Sequence, residues 1–378
     1  MGLEVTMRWA LLLCLVSGLP AQEQPVRENW ISPSTEFSGY VSTAYHFGDG
    51  GVPGSYALAP TGNTGFSLDV VGLSFRKPLD EWLFDAGYRV DLWAGPDASR
   101  LGFSESDDNT VELRQAYIDL RVPIADPRTA GEARSLDLRM GAFDSPLGYE
   151  SPDRPLNAHY THSWGFTIEP ILHTGLMALY PGVDALENGE SDYLLSFGVA
   201  NTVEPRINAV AENADRQTWL SGLTWLVPDG FGSLSGSALS AGYTNGRTRT
   251  GPNTVQNLYL AAGLPMPSEA WNLAFTYDSR MMDGPGNADS VLGAHLSYAI
   301  SPDLTASLRA EWFQDGTKLF SDESAAEQTD GNSLTATLDY RLWENVTSRL
   351  EYRWDHTEFQ VNDRNNFQSL HLGLIFQF

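Results

Sequence analysis

Cysteine is almost absent from this chain. The one thiol, Cys14, sits in an apolar run at the N-terminus. Without that run there is no disulfide and no thiolate metal site. Long hydrophobic stretches are missing as well: nothing beyond the N-terminus approaches the ~20 apolar residues that a membrane-spanning helix needs. Positive charge is scarce, 23 Lys+Arg against 48 Asp+Glu for a net charge of −25. Such a polyanion repels phosphate backbones, so nucleic acid is excluded as the main partner. Helical amphipathic periodicity is nearly absent, and the 7 histidines show no metal-ligand spacing such as His-Glu-x-x-His. No metal and no cofactor is expected.

The N-terminal run has a purpose of its own. Arg8 precedes Trp9–Leu19, and Pro20, Ala21 and Gln22 follow. That is the layout of a secretory signal peptide, with cleavage expected near Ala21. Leu13, ahead of Cys14, is not the small residue that lipid attachment requires. The expected organisation is therefore a signal peptide over 1–21 and a single β-domain over 22–378. The mature N-terminal stretch 22–35 is too short to form a plug domain for energy-coupled uptake.

The remainder alternates apolar and polar residues in short segments separated by Gly, Pro, Asn and Asp. At the end of the chain Leu370, Leu372, Leu374, Phe376 and Phe378 share one face, and Ser369, His371, Gly373, Ile375 and Gln377 the other. A terminal amphipathic strand closing on Phe378 resembles the assembly signal of bacterial outer-membrane barrels. The alternation predicts strands over 36–47, 66–77, 82–94, 111–123, 135–143, 172–181, 191–200, 215–227, 234–244, 256–264, 270–279, 290–300, 303–314, 332–342, 346–355 and 367–378. Alternation breaks in the second, fourth and tenth of these, as it does at β-bulges.

Connection lengths follow a parity. Those after odd strands are long and most after even strands are short, although 124–134 and 182–190 depart from the rule. Long external loops and short periplasmic turns are what an outer-membrane barrel shows, and this parity puts both termini on the periplasmic side. Alternation alone also suits a soluble sandwich or propeller. Export, the terminal Phe and the Trp and Tyr residues at segment ends decide for an all-β, transmembrane, antiparallel up-and-down barrel of about sixteen strands.

The third external connection, 144–171, is the longest: DSPLGYESPDRPLNAHYTHSWGFTIEPI. A barrel of this size is wide enough for an aqueous channel, so the loop is expected to fold inward as a constriction. Glu150, Asp153, Arg154, His159, His162 and Glu169 are the candidates for lining it. Gly141, Gly148 and Gly175 are read as tight-turn positions, and Pro146, Pro152 and Pro155 as stiffeners. The run Gly141-Ala-Phe-Asp-Ser-Pro-Leu-Gly-Tyr-Glu150, then Asn157, Tyr160, Ser163 and Phe166, then Pro170-Ile-Leu-His-Thr-Gly175, resembles the central signature of the family named putative β-barrel porin-2. The match covers about 35 residues. What it implies is a porin-like outer-membrane barrel, with no ligand to carry over.

The polar strand faces give the expected pore wall: Arg89, Arg114, Arg121, Arg139, Arg309, Arg341, Arg349 and Arg353 against Asp85, Asp91, Asp119, Asp137, Asp278, Glu311, Asp339, Glu351 and Asp355. Arg at mid-depth facing lipid costs ~2–4 kcal/mol, so these residues belong inside. There they either pair across strands or filter ions. The excess acid lies in loops, such as Asp107-Asp108, as solvated charge or as a place for divalent cations.

The reading that follows is a porin for passive diffusion of small hydrophilic solutes or ions in a Gram-negative-type outer membrane. Its expected partners are outer-membrane lipid, the barrel-assembly machinery, the solutes and two further copies in a homotrimer. A non-conducting structural or adhesin barrel acting through its external loops is the alternative. An enzyme is not expected, since His162 and Ser163, adjacent in sequence, would point to opposite faces of a strand.

Overall fold

A strand that alternates apolar and polar residues satisfies two environments at once, but only if its backbone groups pair on both edges. Closure into a barrel does this. The computed structural model describes residues 34–48, 64–80, 84–101, 111–125, 134–182, 193–211, 217–249, 254–283, 288–317, 329–361 and 364–378. The segment 1–21 and the acidic pair Asp107-Asp108 lie outside the described residues.

The strands are β1 (Glu36–Gly48), β2 (Gly65–Lys77), β3 (Asp85–Ala94), β4 (Val111–Ala125), β5 (Arg134–Asp144), β6 (Leu172–Pro181), β7 (Tyr193–Ala200) and β8 (Thr218–Leu226). They continue as β9 (Ala238–Arg247), β10 (Thr254–Leu264), β11 (Trp271–Met282), β12 (Ala288–Ser301), β13 (Leu304–Asp315), β14 (Thr329–Trp343), β15 (Val346–Val361) and β16 (Arg364–Gln377). Each pairs antiparallel with its sequence neighbours, and β1 pairs with β16 to close the ring. Two five-residue helices interrupt the pattern, α1 (Pro96–Arg100) and α2 (Trp164–Ile168).

Alternation appears directly in exposure: Leu372 is 49% exposed, whereas its neighbour His371 is 1% exposed. Aromatic residues collect at both ends of the exposed face. Trp271 stacks on Tyr298 at 4.2 Å near the short turns, and Tyr45 meets Phe66 at 4.5 Å near the long connections. Phe378 continues the seam, since its N–H donates to the Gly39 carbonyl at 2.9 Å and its carbonyl accepts from the Gly39 N–H at 2.9 Å. The expected terminal strand is thus part of barrel closure.

Two of the three expected irregularities are bulges. The β1–β2 register skips Asp69 and the β3–β4 register skips Arg114. Each bulge turns two consecutive side chains, Asp69 with Val70 and Arg114 with Gln115, to the covered face. Strand β10 carries none: its registers with β9 and β11 run unshifted.

Three expectations are corrected. The connection predicted over 356–366 is largely strand, because β15 reaches Val361 and β16 starts at Arg364. Polar residues dominate that stretch, so backbone pairing continues there without a clear apolar–polar alternation. Strand β9 starts at Ala238 rather than 234, behind a 3₁₀ turn (Gly232–Leu234) with positive φ at Gly230, Gly232 and Gly236. Gly141 and Gly175 are not turn residues but partners across β5 and β6. A side chain at Gly141 would run into the Ala116 carbonyl, and one at Gly175 into that of Val199.

Candidate functional site

The segment 145–171 leaves β5 and returns to β6 beside its starting point, where the Ser145 N–H donates to the Ile171 carbonyl at 3.0 Å. Between those ends it must satisfy buried backbone groups without a sheet to pair with. Charged side chains on the polar faces of β13–β15 do this. Glu351 accepts the Thr161 N–H at 2.9 Å and the Thr161 hydroxyl at 2.6 Å, and also takes the Tyr160 N–H. Arg309 donates to the Thr161 carbonyl at 2.8 Å, Arg353 to that of His162 at 2.6 Å, and Arg349 to those of His159 and Asn157 at 2.8 and 2.6 Å. Glu311 accepts the Trp164 N–H at 2.7 Å.

Apolar contacts fix the same stretch. The Trp164 ring stacks on Phe313 at 4.0 Å, and its Nε1–H donates to Asp355 at 3.1 Å. Ile168, Val291 and Phe367 complete that cluster. Phe166 joins Tyr40, Val70 and Trp93, together with Ala98 and Leu101 from the α1 region. Ser163 is not on a strand. It caps α2, its hydroxyl accepting the Phe166 N–H at 3.0 Å, so the strand geometry invoked against His162 and Ser163 does not apply.

The six candidate side chains are thereby located. Glu150 accepts from Arg309 at 2.6 Å and from the Ser163 N–H at 2.7 Å. Burial acts to raise its carboxyl, but Arg309, His162 and His295 prevail and bring it down to about 2. Arg154 is buried against Asp97 at 2.6 Å with its guanidinium 4.3 Å from the Tyr160 ring centre. His159 meets Thr337 at 2.7 Å and is pushed down to about 3, chiefly by burial. His162 stacks on Phe166 at 4.0 Å and is pushed down to about 4 for the same reason. Asp153 takes a hydrogen bond from the Tyr40 hydroxyl at 3.2 Å.

Glu169 lies beside Asp278 of β11, and burial followed by that second carboxyl pushes its pKa well above the usual range. A Cβ at Gly148, whose φ is +117°, would sit 2.5 Å from Glu169 Oε2. The positive φ is what favours glycine there, while the Glu169 carboxylate could move to make room for a side chain.

The wall divides into two kinds of charge. On β13–β15 the charges hold the segment. On β3–β5 they hold one another and stay partly exposed: Arg121–Asp137 at 2.8 Å and Arg139–Asp119 at 2.8 Å are directly opposed register pairs. Arg89–Asp91 at 2.9 Å and Lys77–Asp85 at 3.1 Å extend this column. Arg349–Asp339 at 2.7 Å is a further cross-strand pair, and Arg341 sits at the exposed rim, 3.9 Å from Asp303. Arg114, from its bulge, reaches Asp144 at 2.6 Å.

Sequence reasoning passed over several participants. Asp69 accepts the Tyr160 hydroxyl at 2.8 Å from the other bulge, Asp97 holds Arg154, Trp164 donates to Asp355, and Lys77 pairs with Asp85. Broken alternation was the available signal for Asp69.

The family description putative beta-barrel porin-2, OmpL-like, matches residues 34–378. The chain belongs to that family. Family and barrel together put this porin-like protein in an outer membrane, with a construction consistent with a channel. Three solved structures share the fold at low identity. Salmonella typhi OmpF in complex with daunomycin is 13% identical, with TM-score 0.60 over 91% of this chain and 97% of that one. The anion-selective porin from Comamonas acidovorans is 11% identical, with TM-score 0.58 over 91% and 99%. The trimer form of Vibrio cholerae OmpT is 9% identical, with TM-score 0.56 over 91% and 99%. No curated protein matches the chain.

Proposed function

We propose that the barrel is a water-filled diffusion channel whose path is narrowed by segment 145–171 folded into the lumen. One observation carries this reading: the backbone between Asn157 and Trp164 is held by Arg309, Glu311, Arg349, Glu351 and Arg353, all from polar strand faces. The segment then lies against β10–β16 and reaches β1 and β2 through Tyr40 and Asp69, and the path runs along the partly exposed Arg–Asp column of β3–β5. The six candidate residues act mainly as anchors of the constriction, with Asp153 the one nearest the path.

On this reading residues 1–21 export the chain and are removed, both termini are periplasmic, and three copies associate as in the OmpT trimer form. Solutes are small and hydrophilic, and no catalytic step is involved. Uptake of uncharged sugars into liposomes containing the refolded protein tests it. Rates that fall steeply with sugar size support a narrowed channel, and no uptake of any sugar contradicts it.

A second reading has an observation of its own. Trp164, Phe166 and Ile168 are fully enclosed, which suits a non-conducting barrel that acts through its external loops. A folded protein that stays silent in planar bilayers would favour it.

A further inference from the structure

A cavity of about 300 Å³ opens beside the segment, between β1–β3 and the Asp153–Leu156 turn. It carries charges of both signs, with Arg89 and Asp91 of its lining paired at 2.9 Å. Toward the short turns, Arg76 and Arg89 stand directly opposite one another in the β2–β3 register, and both line the cavity. Like charges in that relation repel. Each is neutralised through Nε alone, Arg76 by Glu36 at 2.6 Å and Arg89 by Asp91 at 3.1 Å. Among the described residues, neither guanidinium uses its Nη edge in a hydrogen bond.

Toward the segment the lining is acidic. Asp91 and Asp153 both border the cavity. Asp153 takes the Tyr40 hydroxyl at 3.2 Å and lies 3.6 Å from Arg114, while Asp91, already paired with Arg89 at 2.9 Å, takes the Gln115 amide at 2.6 Å. A carboxylate offers about four acceptor sites, so both have capacity left. Burial raises the Asp153 pKa, and Asp144 and Asp91 add to the rise against the opposing Arg114, the signature of a place that would gain from a cation. Between the two charged ends, Leu156 and Trp93 supply apolar surface, with Leu156 71% exposed.

We propose that this cavity is a binding station for a small zwitterion with a carboxylate and an ammonium a few bonds apart and a short apolar body, the chemistry of a free α-amino acid. The carboxylate meets the Nη edges of Arg89 and Arg76 in the bidentate manner that guanidinium favours. The ammonium sits between Asp153 and Asp91, and the side chain lies on Leu156. A simple anion would leave the acidic end unserved, and a simple cation the basic end. The volume, at the low end for small-molecule sites, admits one amino acid. This inference rests on the channel reading and names the solute class for it.

Single-channel recording with leucine, acetate and ethylammonium as probes tests the proposal. Leucine is expected to produce brief concentration-dependent closures, with acetate and ethylammonium weaker by roughly tenfold or more, since each forfeits one set of charge-assisted hydrogen bonds. Arg89→Gln, which removes the carboxylate donor, and Leu156→Trp, which fills the cavity from an exposed position, are each expected to weaken the leucine effect by a similar factor. Should Arg89→Gln fail to fold, Leu156→Trp carries the comparison.

Acetate or ethylammonium acting as strongly as leucine overturns the zwitterion assignment. An open channel indifferent to leucine overturns the station and leaves the channel reading standing. If the wild type does not conduct, the channel reading fails, and calorimetric titration of the refolded protein with leucine decides the station alone. Binding heat lost in Leu156→Trp supports it, and no heat overturns it.

Discussion

Arg309 of β13 and Glu150 of the 145–171 segment face each other at 2.6 Å, both buried, and tie the segment to the barrel wall. Breaking one partner of a buried pair typically costs about 3–5 kcal/mol. Arg309 keeps Glu311 at 3.1 Å and the Thr161 carbonyl, so Glu150→Ala is expected to cost less, about 2–3 kcal/mol. The expected result is a lower temperature for loss of the compact form on electrophoresis, together with noisier open-channel current.

Acid should loosen the segment, and rising pH should loosen it by another route. Glu150 is depressed to about 2, and His159 and His162 to about 3 and 4. In each case the folded form binds fewer protons than the unfolded one, so stability falls as pH drops. The histidines contribute from about 6.5 downward and Glu150 from about 4.5 to 2. Glu169 has the opposite sign: its raised pKa means stability is lost as pH rises through the folded value. Current variance should rise on either side of the range in which Glu150 is ionised and Glu169 protonated, and Glu169→Gln should abolish only the rise at higher pH.

Trp164 offers a test by volume. Its ring stacks on Phe313 and its N–H reaches Asp355. Trp164→Ala should cost roughly 3–5 kcal/mol and enlarge the conducting steps. Destabilisation without a change in step size would mean that the width of the path does not depend on this buried anchor.

The β3–β5 column offers a test by charge. The pairs of Arg121 with Asp137 and Arg139 with Asp119 are partly exposed, so each contributes about 1 kcal/mol or less. The double change Arg121→Gln and Arg139→Gln should leave folding intact and shift the reversal potential in a salt gradient toward cation preference. An unmoved potential would place the path elsewhere.

The strand count and most strand bounds were legible because alternation has a period of 2 that lipid on one side and polar contacts on the other enforce. The signal failed at 356–366, where polar residues dominate and the strands continue by pairing alone. Bulges were legible as broken alternation in β2 and β4, but not their consequence, since only three dimensions bring Asp69 to Tyr160 and Arg114 to Asp144. The six loop charges were legible as a cluster. Their anchoring contacts, such as Glu150 with Arg309, span 159 residues of sequence and leave no local pattern.

The most direct test is single-channel conductance of the refolded protein in a planar bilayer, wild type against a variant lacking residues 150–166. The account predicts discrete open steps in the wild type and larger steps in the deletion, because the deleted stretch carries the anchoring contacts of Glu150, Tyr160, Thr161 and Trp164. Steps of equal size in the two proteins would contradict a constriction by this segment, and a silent, correctly folded wild type would contradict the channel itself.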